Sequence, residues 1–260
     1  GMASFPEHGD SAEALLQRAE LAMMQSKRLG NNRITSFSNE IATRATERLT
    51  VEQALRRAIE SGELCVHYQP KVDCRTLRMT GLEALVRWQH PHRGLVAPAA
   101  FISVAEEAGL IADIGAQVLR QACREVAAWQ ARGLAPLRVA VNLSATQFGR
   151  SDVVALVRDA LAETGLAAAQ LTLELTESVL MDSTGQSMAE LSALKALGVS
   201  LSLDDFGTGY SSLTYLRRFP LDEIKIDRSF VSGLPAERDN VAIVGAILAL
   251  GRELGLRVVA

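Results

Sequence analysis

Five short segments place an acid, an amide or an ammonium among aliphatic neighbours. In GLEALVRW, Glu83, Leu85 and Arg87 share one parity; in RVAVNLS, Ala140, Asn142 and Ser144 do. LTLELTE gives Thr172, Glu174 and Thr176, VSLSLDD gives Ser200, Ser202 and Asp204, and EIKID gives Glu223, Lys225 and Asp227. Alternate side chains of a strand face opposite sides, so the polar set occupies one face and Val, Leu and Ile the other. Singly, each residue has an ordinary reading: a strand acid is a solvated edge charge, Asn142 caps a turn, Lys225 and Asp227 form an ion pair. Asp204-Asp205 alone fits a solvated turn, a helix N-cap or a cation site. Recurrence on five successive strands weakens the ordinary readings, because unpaired buried carboxylates are prohibitive. Carboxylates with an amide oxygen are hard donors, suited to Mg²⁺, Mn²⁺ or Ca²⁺ rather than zinc, and no HExxH occurs. One carboxylate of the Asp pair would then bridge two ions roughly 3.5–4 Å apart while its neighbour binds the second.

These residues need a scaffold that gathers strand ends. From Leu49 onward, strands are predicted over 64–73, 81–88, 138–144, 171–177, 199–205, 223–227 and 256–260. Helices are predicted over 51–61, 98–108, 117–132, 152–164, 186–197 and 237–254. Such alternation favours a parallel α/β sheet, doubly wound or closed into a barrel. Seven residues separate the first two strands, where a parallel crossover needs about a dozen. The first pair is therefore predicted to be an antiparallel hairpin. In a barrel the polar face would gather at the C-terminal mouth, where the active sites of this architecture lie. The first forty residues differ: helical spacing from Leu15 to Ser26 stops at Gly30-Asn31-Asn32, and Ile34 to Phe37 reads as a short edge strand. They are too few to own a core.

The 260 residues are 48% hydrophobic and carry a net charge of -3. That mild acidity argues against a general nucleic-acid binder, so no DNA partner is expected. No run approaches ~20 apolar residues, and no membrane contact is expected from this segment. Cys65, Cys74 and Cys123 form no CxxC pair and read as free thiols in a cytoplasmic setting. His90 and His92 in QHPHRG read as a polar loop around Pro91 in preference to metal ligands.

YQPKVD, EALVRW, VNLS, ELTES, DDFGTGYSSL and KIDRSF follow one another in a way that resembles the EAL domain, the cyclic-di-GMP phosphodiesterase module of bacteria. The resemblance implies a TIM-like (β/α)8 barrel with an antiparallel first strand. It implies that Glu83, Asn142, Glu174 and Asp204 hold one Mg²⁺ or Mn²⁺, and that Asp204 and Asp205 contribute to a second. Lys225 resembles the lysine that positions or polarises the attacking water, and Glu177 the glutamate that steadies the glycine-bearing loop beginning at Phe206. Gln69, Leu85 and Arg87 correspond to ligand contacts. The implied reaction is hydrolysis of one phosphodiester bond of cyclic-di-GMP to linear pGpG; a receptor that binds without cleaving is the alternative. Gly207 and Gly209 free the backbone of the DDFGTGYSSL loop, which the family links to metal occupancy and to a homodimer.

Residues 1–40, especially AELAMMQSKRLGNNRI, resemble the end of a GGDEF domain, with 41–260 as the EAL domain. The GGDEF motif itself is absent from the sequence, so no cyclase activity is expected. The family's seventh strand runs on into an EGVE-type motif whose first glutamate completes the second metal site, then an eighth strand and a final helix. With Ala260 last, the expectation is a portion of a longer protein carrying a sensory or GGDEF domain upstream, cytoplasmic or membrane-tethered.

Overall fold

A computed structural model describes residues 1–30, 32–148, 152–177, 179, 185–207, 216 and 218–260. The short first connection makes the predicted hairpin: β1 (Leu64–Val72) and β2 (Met79–His90) pair antiparallel, with Gln69 opposite Glu83. Asp73 sets the turn, its Oδ1 accepting the backbone N–H groups of Arg75 and Thr76 at 3.1 and 2.8 Å, an Asx-type reversal. β2 then turns at Pro91 and pairs back as β3 (Gly94–Val96), a three-residue strand too short to show a period in the sequence. His90 Nδ1 accepts the N–H groups of His92 and Arg93 at 3.1 and 3.3 Å, so this imidazole builds the turn.

Apart from β1 and β3, which pair antiparallel with β2, every pairing in the sheet is parallel. β2 is joined by β4 (Arg138–Leu143), β5 (Leu171–Thr176), β6 (Ser200–Phe206), β7 (Glu223–Ile226) and β8 (Arg257–Val259). The order β1-β2-β4-β5-β6-β7-β8 runs neighbour to neighbour, as in the wall of a TIM-like barrel. All seven predicted strands are present, with ends shifted by a few residues.

By its contacts the chain divides into Gly1–Arg57 and Ala58–Ala260. The first unit holds α1 (Ala12–Arg28), capped where the Ser11 side chain accepts the Ala14 N–H. The expected edge strand over Ile34 to Phe37 is reduced to a single bridge between Met2 and Ser36. Met2 supplies one residue of pairing, too little to propagate a ladder. The division falls within α2 (Asn39–Ser61), which starts twelve residues before the predicted 51. Thr43, Thr46 and Thr50, β-branched and weak helix formers, dilute the helical signal of its first half. Their hydroxyls bond back to carbonyls four residues earlier, at 2.9–3.0 Å, which accommodates Thr in a helix.

In the second unit, Pro98–Ala100 forms a 3₁₀ turn and α3 (Ile102–Glu107) follows, divided at fully buried Phe101. The predicted single helix over 98–108 is thus two pieces. α4 (Ile111–Ala131) buries Ile114, Val118, Leu119, Ala122, Cys123 and Val126 along one face. It begins six residues before the predicted 117, because Ile111 and Ile114 extend the same stripe. α5 (Val153–Thr164) is capped by Asp152, which accepts the Ala155 N–H at 2.8 Å, and ends at left-handed Gly165. α6 (Gly185–Ala196), α7 (Arg228–Val231) and α8 (Arg238–Leu254) complete the described helices. None of the described helices is long and apolar enough to cross a membrane.

The outward residues of the parallel strands make the core. Leu173, Leu175, Leu201, Leu203, Val139 and Val141 are at most 1% exposed, each Leu stabilising by roughly 1.5–3 kcal/mol. The three cysteines are free thiols; burial pushes that of Cys123 up to about 12.

Candidate active site

The period of two puts the polar set on the inner face. Glu174 on β5 lies level with Asn142 on β4 and Ser202 on β6, Glu83 on β2 level with Ala140, and Asp204 on β6 level with Thr176. The stagger of parallel strands brings Glu83, Glu174 and Asp204 together: one oxygen from each lies within 4.8 Å of the others. All three are buried. Lys225 on β7 enters this cluster, its Nζ 2.8 Å from Glu83 Oε2, 3.2 Å from Glu174 Oε2 and 3.4 Å from the Asp204 carboxylate. Asn142 Nδ2 donates to Glu83 Oε1 at 3.3 Å.

A second lysine, not singled out in the sequence, joins them. Lys71 on β1 donates to Glu174 Oε1 at 2.6 Å and to Glu223 Oε1 at 3.4 Å. The signal was available: Lys71 has the parity of Gln69, which faces Glu83 across the hairpin. Burial works against ionised Glu83, but the hydrogen bond and charge of Lys225, with Lys71 and Asn142, hold its carboxyl below the usual range. For Glu174 burial wins and raises the carboxyl against the pull of both lysines. Lys225 pays for burial too, yet Glu174, Asp204 and Glu83 raise it above the ordinary lysine value. Lys225 therefore stays an ammonium at neutral pH.

Asp205 stands apart from the three-carboxylate cluster. It is exposed and takes a left-handed φ of 52° inside β6, where the β6–β7 register slips between Leu203 and Phe206. Asp is among the few non-glycine residues that tolerate this conformation. Its backbone N–H fixes Asp204 Oδ1 at 2.9 Å. Burial, then the charges of Asp204 and Asp227, raises its carboxyl, which hydrogen-bonds Asp227. Asp227 in turn caps α7, accepting the Ser229 N–H at 2.9 Å and the Ser229 hydroxyl, so the simple Lys225–Asp227 pair is not formed.

Glu177 Oε1 accepts the Gly207 N–H at 2.9 Å. Gly207 has φ 102°, and a Cβ there would come within 2.9 Å of the Phe230 ring, so this position requires glycine. The rest of the loop, residues 208–215 with Gly209, lies outside the described residues. Gln69 is exposed; Leu85 and Arg87 are half-buried on the face of Glu83. Arg87 Nη1 donates to the Val86 carbonyl at 2.8 Å.

The donor set fits a hard divalent cation. Glu83, Glu174, Asp204 and Glu223 are buried carboxylates, and Lys71 and Lys225 are the ammonium groups that contact them. The Arg257 guanidinium also lies 3.5 Å from Glu223 Oε2, so four negative charges less three positive leave one to be offset. The donors are oxygens without a thiol or imidazole among them, the preference of Mg²⁺ or Mn²⁺. A half-turn of the Asn142 amide would bring its oxygen to the side of Glu83.

Comparison with known proteins agrees with this architecture. The phosphodiesterase NbdA of Pseudomonas aeruginosa, named for cyclic di-GMP, is 46% identical over 260 residues, all of this chain and 33% of NbdA. PdeR of Escherichia coli, named likewise, is 40% identical over 260 residues, all of this chain and 39% of PdeR. The chain thus spans about a third of the length of the curated relatives it matches. Among solved structures, the PaMucR phosphodiesterase in complex with c-di-GMP superposes with a TM-score of 0.77 at 48% identity, over 80% of this chain and 85% of that one. The EAL domain matches residues 52–260, and the chain belongs to that family.

Proposed function

We propose that this chain is the phosphodiesterase module of a longer signalling protein, hydrolysing one phosphodiester bond of cyclic-di-GMP to linear pGpG. The observation that carries the reading is the convergence of buried Glu83, Glu174 and Asp204 from three strands onto one lysine. In this reading Glu83, Asn142, Glu174 and Asp204 hold one divalent ion, with Asp204 and Asp205 toward a second. Bound there, Mg²⁺ or Mn²⁺ would supply Lewis acidity that lowers the pKa of water and offsets charge on the phosphate. Lys225, held as an ammonium by its carboxylates, orients the attacking water as a donor; it has no lone pair with which to act as base. Arg87 suits a phosphate oxygen through its planar fork, and Gln69 and Leu85 line the approach on the same face. Glu177 fixes the start of the loop after Phe206 through the Gly207 N–H.

Residues 1–40 are proposed as the tail of a GGDEF domain, with a homodimer and an upstream sensory domain in the whole protein, working in the cytoplasm. The test is incubation of the full natural protein with cyclic-di-GMP and Mg²⁺ or Mn²⁺, followed by chromatography. Expected is pGpG, with Glu83→Ala lowering turnover at least a hundredfold, on the order of one lost catalytic group. Tight binding with no product would leave a receptor; unchanged turnover in Glu83→Ala would remove Glu83 from the site.

A further inference from the structure

Lys71 is held unlike Lys225. Because β1 runs against the other strands, its last residues lie at the level where β2 begins, and Lys71 is paired with Gly81, two residues before Glu83. Its side chain therefore approaches Glu174 from the strand-entry side, opposite the mouth toward which Glu83 and Asp204 are carried. Each oxygen of Glu174 has its own ammonium: Oε1 takes Lys71 at 2.6 Å and Oε2 takes Lys225 at 3.2 Å. Lys225 contacts all three converging carboxylates, whereas Lys71 contacts only Glu174 among them. The Glu174 side chain is 0% exposed, so its charge is met by these two protein groups rather than by bulk solvent.

We infer that Lys71 is a positioning residue for the cation site, clamping Glu174 by Oε1 so that Oε2 stays turned toward Glu83 and Asp204. A second acceptor, Glu223 Oε1 at 3.4 Å, holds the Lys71 ammonium in place. An ion entering the cluster competes with Lys225 for shared oxygens and leaves the Lys71 contact intact. The inference rests on the metal reading above, and it predicts an effect whose sign separates position from charge. Removing a nearby positive charge, by itself, tightens binding of a cation. Releasing an oriented ligand weakens it, by about 10–100-fold for partners that orient metal ligands.

The probe is Mn²⁺ alone, titrated calorimetrically into the whole chain, with circular dichroism as the check on folding. Lys71→Met takes one of two cationic partners from both Glu174 and Glu223, which keep Lys225 and Arg257, so it is paired with Glu223→Gln and compared with Glu223→Gln alone. The double variant is expected to bind Mn²⁺ about 10–100-fold more weakly than its reference. Lys71→Arg in the native chain is the second variant: charge is constant, but the planar fork presents its donors at a different reach. Weaker binding is expected there as well, and this arm decides if the double variant does not fold. Equal or tighter binding in a folded Lys71 variant overturns the role of Lys71 while leaving the metal site standing. Absence of Mn²⁺ binding by the native chain instead removes the metal reading, and this inference with it.

Discussion

Two lysine–carboxylate assemblies sit at opposite ends of the same strands, and they are built on different terms. At the entry to β6, Lys195 Nζ lies 2.8 and 2.7 Å from the two oxygens of Asp222. Asp222 Oδ2 also accepts the Leu201 N–H at 2.8 Å. One cation meets one anion, the backbone completes the set, and both side chains are about a third exposed. At the exit of the strands Lys225 is divided among three carboxylates, with side chains 0–20% exposed and acids outnumbering lysines. The first assembly is accounted for by tying α6 to the strands. The second carries a desolvation cost that stability alone does not justify, and its surplus negative charge is what a cation-dependent site requires. Breaking local rules where function needs it is the expected pattern.

The largest test of this contrast is Lys225→Met. It leaves buried Glu83 and Asp204 without an ammonium and Glu174 with Lys71 alone, and breaking such a set destabilises by about 3–5 kcal/mol. Urea unfolding at neutral pH measures the loss. A change no larger than that for a surface pair would mean that the acids already find another counter-charge, and the contrast would fail.

The next effect concerns ligation. Mn²⁺ at a hundred times its dissociation constant stabilises a protein that binds it only when folded by about 2.7 kcal/mol. Native chain should show that gain, and Glu174→Gln should lose most of it while remaining folded. A gain of equal size in both would place the ion elsewhere, for instance on exposed acids, and the strand-exit cluster would be only a buried ion-pair network.

How much of this was legible in the sequence follows from where the period of two holds. It holds along β2, β4, β5 and most of β6, so Glu83, Asn142, Glu174 and Asp204 could be gathered from parity alone. It breaks at Asp205, where left-handed backbone and a register slip re-aim the residue, and no side-chain pattern announces a bulge. Lys71 was missed because its partner, Glu174, is 103 positions away and is reached only after the first strand is inverted and the register set. The inversion itself was readable from loop length, since seven residues admit a hairpin and exclude a crossover. Helix starts were the weakest point. Thr43, Thr46 and Thr50 read as poor helix formers until their hydroxyls are seen to bond the preceding turn.

The smallest expected effect completes the comparison from the other end. Lys195→Met removes a partly exposed pair, for which solvent screening leaves about 1 kcal/mol or less. Asp222 keeps its bond to the Leu201 N–H, and at this exposure water can replace the ammonium, so no buried charge is stranded. The same urea experiment should therefore give a shift several times smaller than for Lys225→Met, and Mn²⁺ affinity should match that of the native chain. If Lys195→Met instead weakened Mn²⁺ binding, the two ends of β6 would be coupled through the strand. Asp204 would then owe its position to the strand entry as well as to the Asp205 N–H that fixes it at 2.9 Å.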